Sequence, residues 1–480
     1  MYLLAIDQGT SQTKALILDA AGQLLASHTA PLHTDIVADG RIEQDPMAVL
    51  ESVRAACAPL LERFPATVAG LDNQGETFLR WEAASGRPVT PAISWQDQRG
   101  AAICAELRAA DHADLIRERT GLLLDSYFSA PKLAHLLRQD PLLRRRAGAG
   151  ELRFGTLDTW MIWNFGQGHP HITDPSTAAR TLLYDIQRHI WDPDLLAQFD
   201  IPTSLLPQVL PSAGHAATLN LHGQTLELHA MLCDQPAALF GQRCLMAGQA
   251  KCSFGTGAFM LMNTGVRPAP SNHGLLSTIA WQIDGHATYA LDGGIFTAGA
   301  AVEWLRDGLG LIASSAESAE LAEQADPLAT PICIPALAGL AAPCWRTDAR
   351  ASIFGLSRGS GQAELVRATL EGLAMRVGDV LLAMQADAGL PMQELRVDGG
   401  PARNRFLMQT IADDLGIVES TAMGIGNLAR VSVGTIDLSQ LAVDWQPSIR
   451  YTPRVSADER ATRRARWERA ITTALAFYQG

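Results

Sequence analysis

The sequence is short of lysine. Three lysines, Lys14, Lys132 and Lys251, stand against 35 arginines in 480 residues. It has no surplus of positive charge either, with a formal net charge of −12. That excludes a general binder of phosphate backbones, because nucleic-acid binding leaves a basic footprint. No apolar run reaches the ~18 residues that a membrane span needs. The opening Met-Tyr-Leu-Leu-Ala-Ile-Asp has no basic residue ahead of its apolar run, so it is not a secretory signal. The seven cysteines are odd in number and never form C-x-x-C. That fits reduced thiols in a cytoplasm rather than a disulfide frame or a zinc site. Also missing are G-x-x-x-x-G-K-[ST], a G-x-G-x-x-G opening a helix, H-E-x-x-H and G-x-S-x-G. P-loop enzymes, dinucleotide folds, zinc peptidases and serine hydrolases of the elbow type thereby lose support.

What is there is the composition of a folded chain. Apolar residues make up 47% and charged ones 18%, which excludes disorder and coiled coil as the main state. The length suggests two or three lobes. Lysine is a compact point charge and arginine a planar fork, and the two are not interchangeable where a single oxygen must be met. Three lysines spared in an arginine-rich chain are therefore candidates for specific contacts.

Tyr2–Ile6, Lys14–Leu18 and Gln23–Ser27 read as short strands, with Asp7-Gln8-Gly9-Thr10-Ser11 a polar loop between the first two. Asp45–Phe64 has helical spacing, and Val68–Leu71 is a strand running into Asn73-Gln74-Gly75-Glu76-Thr77. Ala101–Ala110 and Lys132–Leu137 read as helices, Leu142–Arg146 as a solvated basic face, Thr173–Arg180 as a loop and residues 201–225 as irregular. Ala250-Lys-Cys-Ser-Phe-Gly255-Thr256-Gly257 opens a second hairpin that echoes the first about 245 residues on. Helical patterns follow at Gly299–Leu305, Gln362–Ala386, Asn404–Leu415 and 456–478. The echo suggests two lobes of similar design with a boundary near 242–245, and not a solenoid or propeller.

Two Gly-hydroxyl hairpins facing one cleft suit a polyphosphate. Glycine lets N–H groups approach oxygens, and Thr or Ser hydroxyls add donors. Asp7 could hold a Mg²⁺ hydration shell and Lys14 could reach a phosphate. Either hairpin taken alone could equally be a plain turn. Gly399-Gly400 ahead of Asn404 is either an ordinary helix-start turn or bare backbone for an adenosine. Asp234 ends an apolar run and precedes Gln235-Pro236. It can serve as a helix cap, as the base for a substrate hydroxyl, or as both.

The stretches AIDQGTSQTKALILD, NQGETFLRWEAASGRPVTPAISWQDQR, FSAPKLAHLL, ITDPSTAARTLLYDI, MLCDQPAALFGQ, FGTGAFMLMNTG, ASIFGLSRGSGQAELVRATLE and RVDGGPARNRFLMQ occur in order over nearly the whole chain. Together they resemble the FGGY family of carbohydrate kinases, and within it the branch that phosphorylates glycerol. The resemblance implies an α/β chain with a two-lobed actin-like ATPase (ribonuclease H-like) fold. Mixed sheets with flanking helices would form lobes at 1–243 and 244–480, with the active site in the cleft between them. It implies ATP and Mg²⁺ as cofactors and a small polyol or sugar as substrate, in a cytoplasmic homodimer or higher homo-oligomer without nucleic acid or membrane insertion. Asp234 is then the base, and Asp7 with Asp234 the Mg²⁺-associated pair. Gly9, Thr10, Ser11, Lys14, Thr256 and Gly299 match phosphate or nucleotide positions, and Gly400 and Asn404 the adenosine site. Gly75, Glu76, Trp95, Tyr127, Asp234, Gln235 and Phe259 match the polyol pocket.

Three departures set expectations. Gly75 stands where the glycerol branch has an arginine that meets the polyol hydroxyls. Glycerol should then be a poor substrate beside a longer polyol or sugar, unless Arg80 or Arg99, nearest in sequence, fills the gap. The E-x-T-A-x-G motif at Glu419–Gly424 arrives several residues early after Leu415, which predicts a shortened strand near the adenine pocket. His135 replaces a tryptophan. These departures leave one alternative, a degenerate kinase that binds sugar or nucleotide without phosphotransfer.

Overall fold

This computed structural model describes residues 1–37, 40–421, 427–434, 436, 438, 441 and 448–478. Two mixed sheets organise it, and they repeat one plan. In the first, Leu24–Pro31, Gln12–Leu18, Leu3–Gln8, Val68–Asn73 and Gln224–Cys233 lie side by side, with Ala213–Leu221 on the outer edge. In the second, the corresponding order is His286–Ile295, Ala258–Gly265, Ala250–Phe254, Glu394–Gly399 and Val418–Thr421, with Leu276–Ile283 and Arg450–Tyr451 at the two edges. In each sheet the first strand is antiparallel to its hairpin partner and parallel to the strand on its other side. Both hairpins therefore present their tips at the carboxyl ends of parallel strands, where open α/β sheets hold ligands. The expected echo of two hairpins extends to whole sheets.

Helix Pro46–Leu61 covers the first sheet. Asp45 caps it by accepting the Met47 N–H at 2.8 Å, Pro46 sits in its first turn, and Val49, Leu50, Val53, Cys57 and Leu60 form its buried stripe. The 27-residue helix Gln362–Ala388 backs the second sheet and ends on Gly389 in the left-handed region, φ 62°. A smaller five-stranded sheet contains Phe78–Glu82, Ala92–Ile93 and Leu152–Thr156. It packs with helices Ala101–Ala109 and Ser129–Gln139 around Phe78, Ile93, Leu133 and Phe154, and forms a wall beside the first hairpin.

Two sequence expectations fail here. Thr173–Arg180 is not a loop. Asp174 caps the short helix Pro175–Ala178, a tight turn Ala179–Thr181 follows, and every residue is buried. Four helical residues are too few to show a period. Residues 201–225 are irregular only to about Pro211. From Ala213 a nine-residue strand pairs with Gln224–Cys233, its signal masked by the prolines ahead of it. Of the Glu419–Gly424 motif, Ala422–Gly424 lie outside the described residues.

Candidate functional site

The tip of the first hairpin is closed by the Gly9 N–H donating to the Gln12 carbonyl at 3.0 Å. Thr10 is drawn sideways, its Oγ1 accepting the Trp95 indole N–H at 3.0 Å. Asp7 lies opposite Lys14 across the hairpin and beside Asp72 on the neighbouring strand. Burial raises the Asp7 carboxyl above its usual range, Asp234 adds to the rise, and Asp72 and Lys14 oppose it. Asp72 is held much higher, first by burial and then by the charges of Asp7 and Asp234. Its Oδ1 has no partner. Three carboxyl groups gathered this way make a place that favours a cation.

Asp234 opens helix Asp234–Gly241 at the end of strand Gln224–Cys233. One oxygen accepts its own successor's N–H at 2.7 Å, and the other accepts the Gln235 side-chain amide at 3.2 Å. The carboxylate is thus a helix-terminal acceptor and, at the same time, borders a cavity of about 170 Å³, room for one small polyol. Trp95 and Tyr127 line the cavity edge to face, 5.3 Å apart, with Phe259 also on its wall.

Two of the three lysines stand behind these walls with no exposed surface. The Lys132 ammonium donates to the carbonyls of Ser94 (3.0 Å), Trp95 (3.3 Å) and Tyr127 (2.9 Å). Three donors on one nitrogen meet three converging acceptors, a geometry that the planar fork of a guanidinium does not reproduce. Burial lowers its pKa to about 7. Lys251 donates to the Gln235 side-chain oxygen and to Ser253 Oγ at 3.0 Å, and burial lowers it as well.

The charged side of the cavity is one that the sequence did not disclose. Arg180, from the buried turn Ala179–Thr181, donates from Nε to Glu76 at 2.7 Å and from Nη1 to Asp292 at 2.9 Å. Glu76 and Asp292 more than offset the penalty of burial and keep this guanidinium charged. Arg180, Cys233, Thr278 and Asp292 all line the cavity. The nearest arginines in sequence do not enter it. Arg99 is tied to Asp97 and Glu43, and Arg80 is buried in strand Phe78–Glu82, where burial lowers it to about 10. The clue to Arg180 was a single arginine among small residues, Ala178-Ala179-Arg180-Thr181, just after the Asp174-Pro175 helix start.

A second, wider cavity of about 570 Å³ lies in the other sheet's lobe. It collects Thr256 from the second hairpin, Gly299 from the start of helix Gly299–Glu303, and Gly400 and Asn404 from the turn before helix Arg405–Leu415. Asn404 is committed locally: Oδ1 accepts the Leu407 N–H at 3.0 Å, and its amide donates to Ser318 at 2.9 Å. A Cβ on Gly299 would meet the Gly255 carbonyl at 2.5 Å, whereas one on Gly400 would meet nothing within 4 Å. Glycines and small residues share the wall of this cavity with the side chains of Phe254, Glu303, Glu320, Arg403 and Arg405.

The structure therefore sorts the candidate residues into two groups. Thr10, Glu76, Trp95, Tyr127, Asp234, Gln235 and Phe259 meet in the first cavity, and Thr256, Gly299, Gly400 and Asn404 in the second. Asp7, Gly9, Ser11, Lys14 and Gly75 line neither of the two. Among the described residues there is no cluster of three or more groups placed to ligate a metal, and no helix long and apolar enough to cross a membrane.

Comparison with known proteins covers almost the entire chain. Residues 2–241 match the N-terminal domain of the FGGY family of carbohydrate kinases, and residues 250–429 its C-terminal domain. A glycerol kinase of Aromatoleum aromaticum is 44% identical over 488 residues, covering 98% of both chains. One of Alkalilimnicola ehrlichii is 45% identical over 486 residues, again 98% of each. Among solved structures, Plasmodium falciparum glycerol kinase with ADP superposes with a TM-score of 0.92 at 29% identity, over 99% of this chain and 98% of that one. A gluconate kinase from Lactobacillus acidophilus, at 19% identity and a TM-score of 0.88, shares the fold.

Proposed function

The chain belongs to the FGGY family of carbohydrate kinases, and from that premise we propose that it moves the terminal phosphoryl group of ATP onto a terminal hydroxyl of a glycerol-like polyol. The observation that carries this reading is the Asp234 carboxylate at the edge of a small cavity walled by Trp95, Tyr127 and Phe259. A polyol there lies with carbon against the aromatic faces and hydroxyls toward Glu76, Asp234 and Gln235. Asp234 accepts the proton of the attacking hydroxyl, and positioning with charge neutralisation supplies most of the rate.

The second cavity is assigned to the nucleotide, with adenosine over Gly400 beside Asn404 and the phosphates between the tips carrying Gly9, Thr10, Ser11 and Thr256, Gly299. Lys14 serves as the point charge. Asp7 and Asp234 would hold a Mg²⁺ ion through its water shell, which suits an ion that keeps several waters and takes one or two carboxylates. The ion would neutralise phosphate charge. Division of the chain into residues 1–243 and 244–480, a cytoplasmic setting and assembly of two or more copies belong to the same reading.

The deciding experiment is release of ADP with a panel of polyols and ketoses from three to five carbons. Release with none of them, despite measurable polyol binding, would favour the degenerate binder over the kinase. The near-complete match to glycerol kinases and the Asp234-edged cavity count against that alternative.

A further inference from the structure

Gly75 does not leave a hole. It sits in the left-handed region at φ 36°, and a Cβ built there would lie 2.8 Å from Cys233 Sγ and 3.6 Å from Arg180 Cγ. The first side-chain atom at 75 would press on Cys233 and touch the stem of Arg180. Arg180 lies across the Phe128 ring at 5.4 Å, with only 7% of its side chain exposed, and that surface faces the polyol cavity. Its Nε is held by Glu76 and its Nη1 by Asp292. Its Nη2 has no partner among the described residues. Beside it, Thr278 Oγ1 is buried in the cavity wall and also unpartnered.

A fixed guanidinium with a spare N–H, lining a small cavity that also has aromatic walls, is built to donate to a hydroxyl oxygen. Two carboxylates already surround the cation, and Asp234 is a third acid at the same cavity, so an anionic substrate is repelled and a neutral one is not. We propose that Arg180 is the specificity-determining residue of this pocket. It donates from Nη2 to a hydroxyl of a neutral polyol, replaces the arginine that Gly75 lacks, and selects polyols against sugar acids. Gly75 and Cys233 form the small-for-large exchange that gives it room. The proposal rests on the kinase reading above and corrects one expectation drawn from the sequence, that the pocket is missing a donor for glycerol.

The test uses the full chain, with steady-state kinetics on glycerol, erythritol and gluconate, and tryptophan fluorescence for polyol binding without ATP. Arg180→Met should raise the KM and the Kd for glycerol by about tenfold to hundredfold, the loss of one charged hydrogen bond, and leave the KM for ATP within about twofold. Arg180→Lys should recover little, because it keeps the charge and loses the fork. Gluconate should be a poor substrate of the wild type. Should Arg180→Met fail to fold, Arg180→Gln with Asp292→Asn removes one of the two stranded carboxylate charges, keeps a hydrogen-bonding group beside Glu76, and serves as the second variant. Adding Gly75→Arg and Cys233→Gly to Arg180→Met should restore glycerol binding, since the donor then returns from the other wall. An unchanged glycerol Kd in the Arg180 variants, or equal losses for glycerol and ATP, would overturn the proposal. A wild type that binds glycerol but releases no ADP would instead defeat the kinase reading and leave the binding test of Arg180 standing.

Discussion

The two cavities are made from different materials. The polyol cavity is walled by long side chains, and its charges (Glu76, Arg180 and Asp292) are buried and paired across the fold. The cleft assigned to the nucleotide is richer in bare backbone: Gly255, Gly299 and Gly400 and the small Ala316 and Ala319 stand among the side chains of Glu303, Glu320, Arg403 and Arg405. A site made of side chains changes specificity when one residue is exchanged for another at a distance, as proposed above for Arg180 and Gly75. A wall with glycines at its turns also changes when one of those turns gains a side chain. The two cavities should therefore break under different substitutions.

The largest effect is expected where the two cavities meet the chemistry. Asp234→Asn should cut kcat by ~10²–10⁴, the usual loss for a positioned base, while glycerol binding by fluorescence stays within a few-fold. Near wild-type turnover would reduce Asp234 to a helix cap. Next is the backbone site. The Cβ of Gly400→Val would meet no protein atom within 4 Å, so the melting temperature should hold while the KM for ATP rises on the order of tenfold or more, about 1.4 kcal/mol per decade. Glycerol Kd should not move. A parallel loss in both would collapse the distinction between the cavities.

Lys132 tests the side-chain site from behind. Lys132→Met frees the carbonyls of Ser94, Trp95 and Tyr127, and should raise the glycerol KM by about tenfold with little change for ATP; Lys132→Arg should not rescue it. The wild type should show a milder version with pH. Burial brings this amine to about 7, so it is mostly ammonium at pH 6 and mostly neutral at pH 8.5. The neutral amine has two N–H groups for three carbonyls, so the glycerol KM should climb as pH rises through 7. Glu76, Asp97 and Asp125 favour the ammonium and Arg99 opposes it. A rise that persists in Lys132→Met would assign it to another group. Smallest is Gly75→Ala. Its Cβ presses on Cys233 at a positive φ, which should cost about 1–2 kcal/mol of stability, measured by denaturant unfolding. Cys233→Gly in the same chain should return the part due to crowding.

The contrast also explains what was legible in the sequence. The second cavity's residues are announced by local turn chemistry: Gly255-Thr256-Gly257 or Gly399-Gly400 signals its bend within three residues. Both hairpins and the helix beginning after Asn404 could be read for that reason. Asp234 stood out because an apolar strand ends on it. Arg180 could not be found this way, since its partners Glu76 and Asp292 lie 104 and 112 residues away. Only the pairing of Val68–Asn73 with Gln224–Cys233 brings Gly75 beside Cys233. The guanidinium absent at 75 in the sequence motif has a proposed counterpart in Arg180, which lines the same cavity from a distant segment.

The three lysines have a practical consequence for labelling chemistry. Lys132 and Lys251 have no accessible surface, while Lys14 is partly open on the first hairpin. To an acylating or pyridoxal-type reagent, the folded chain offers one side-chain amine along with its α-amine. That amine lies across the hairpin from Asp7, so under the phosphate-facing role proposed for Lys14 its rate of modification should fall when nucleotide is bound, an outcome that mass spectrometry reads directly.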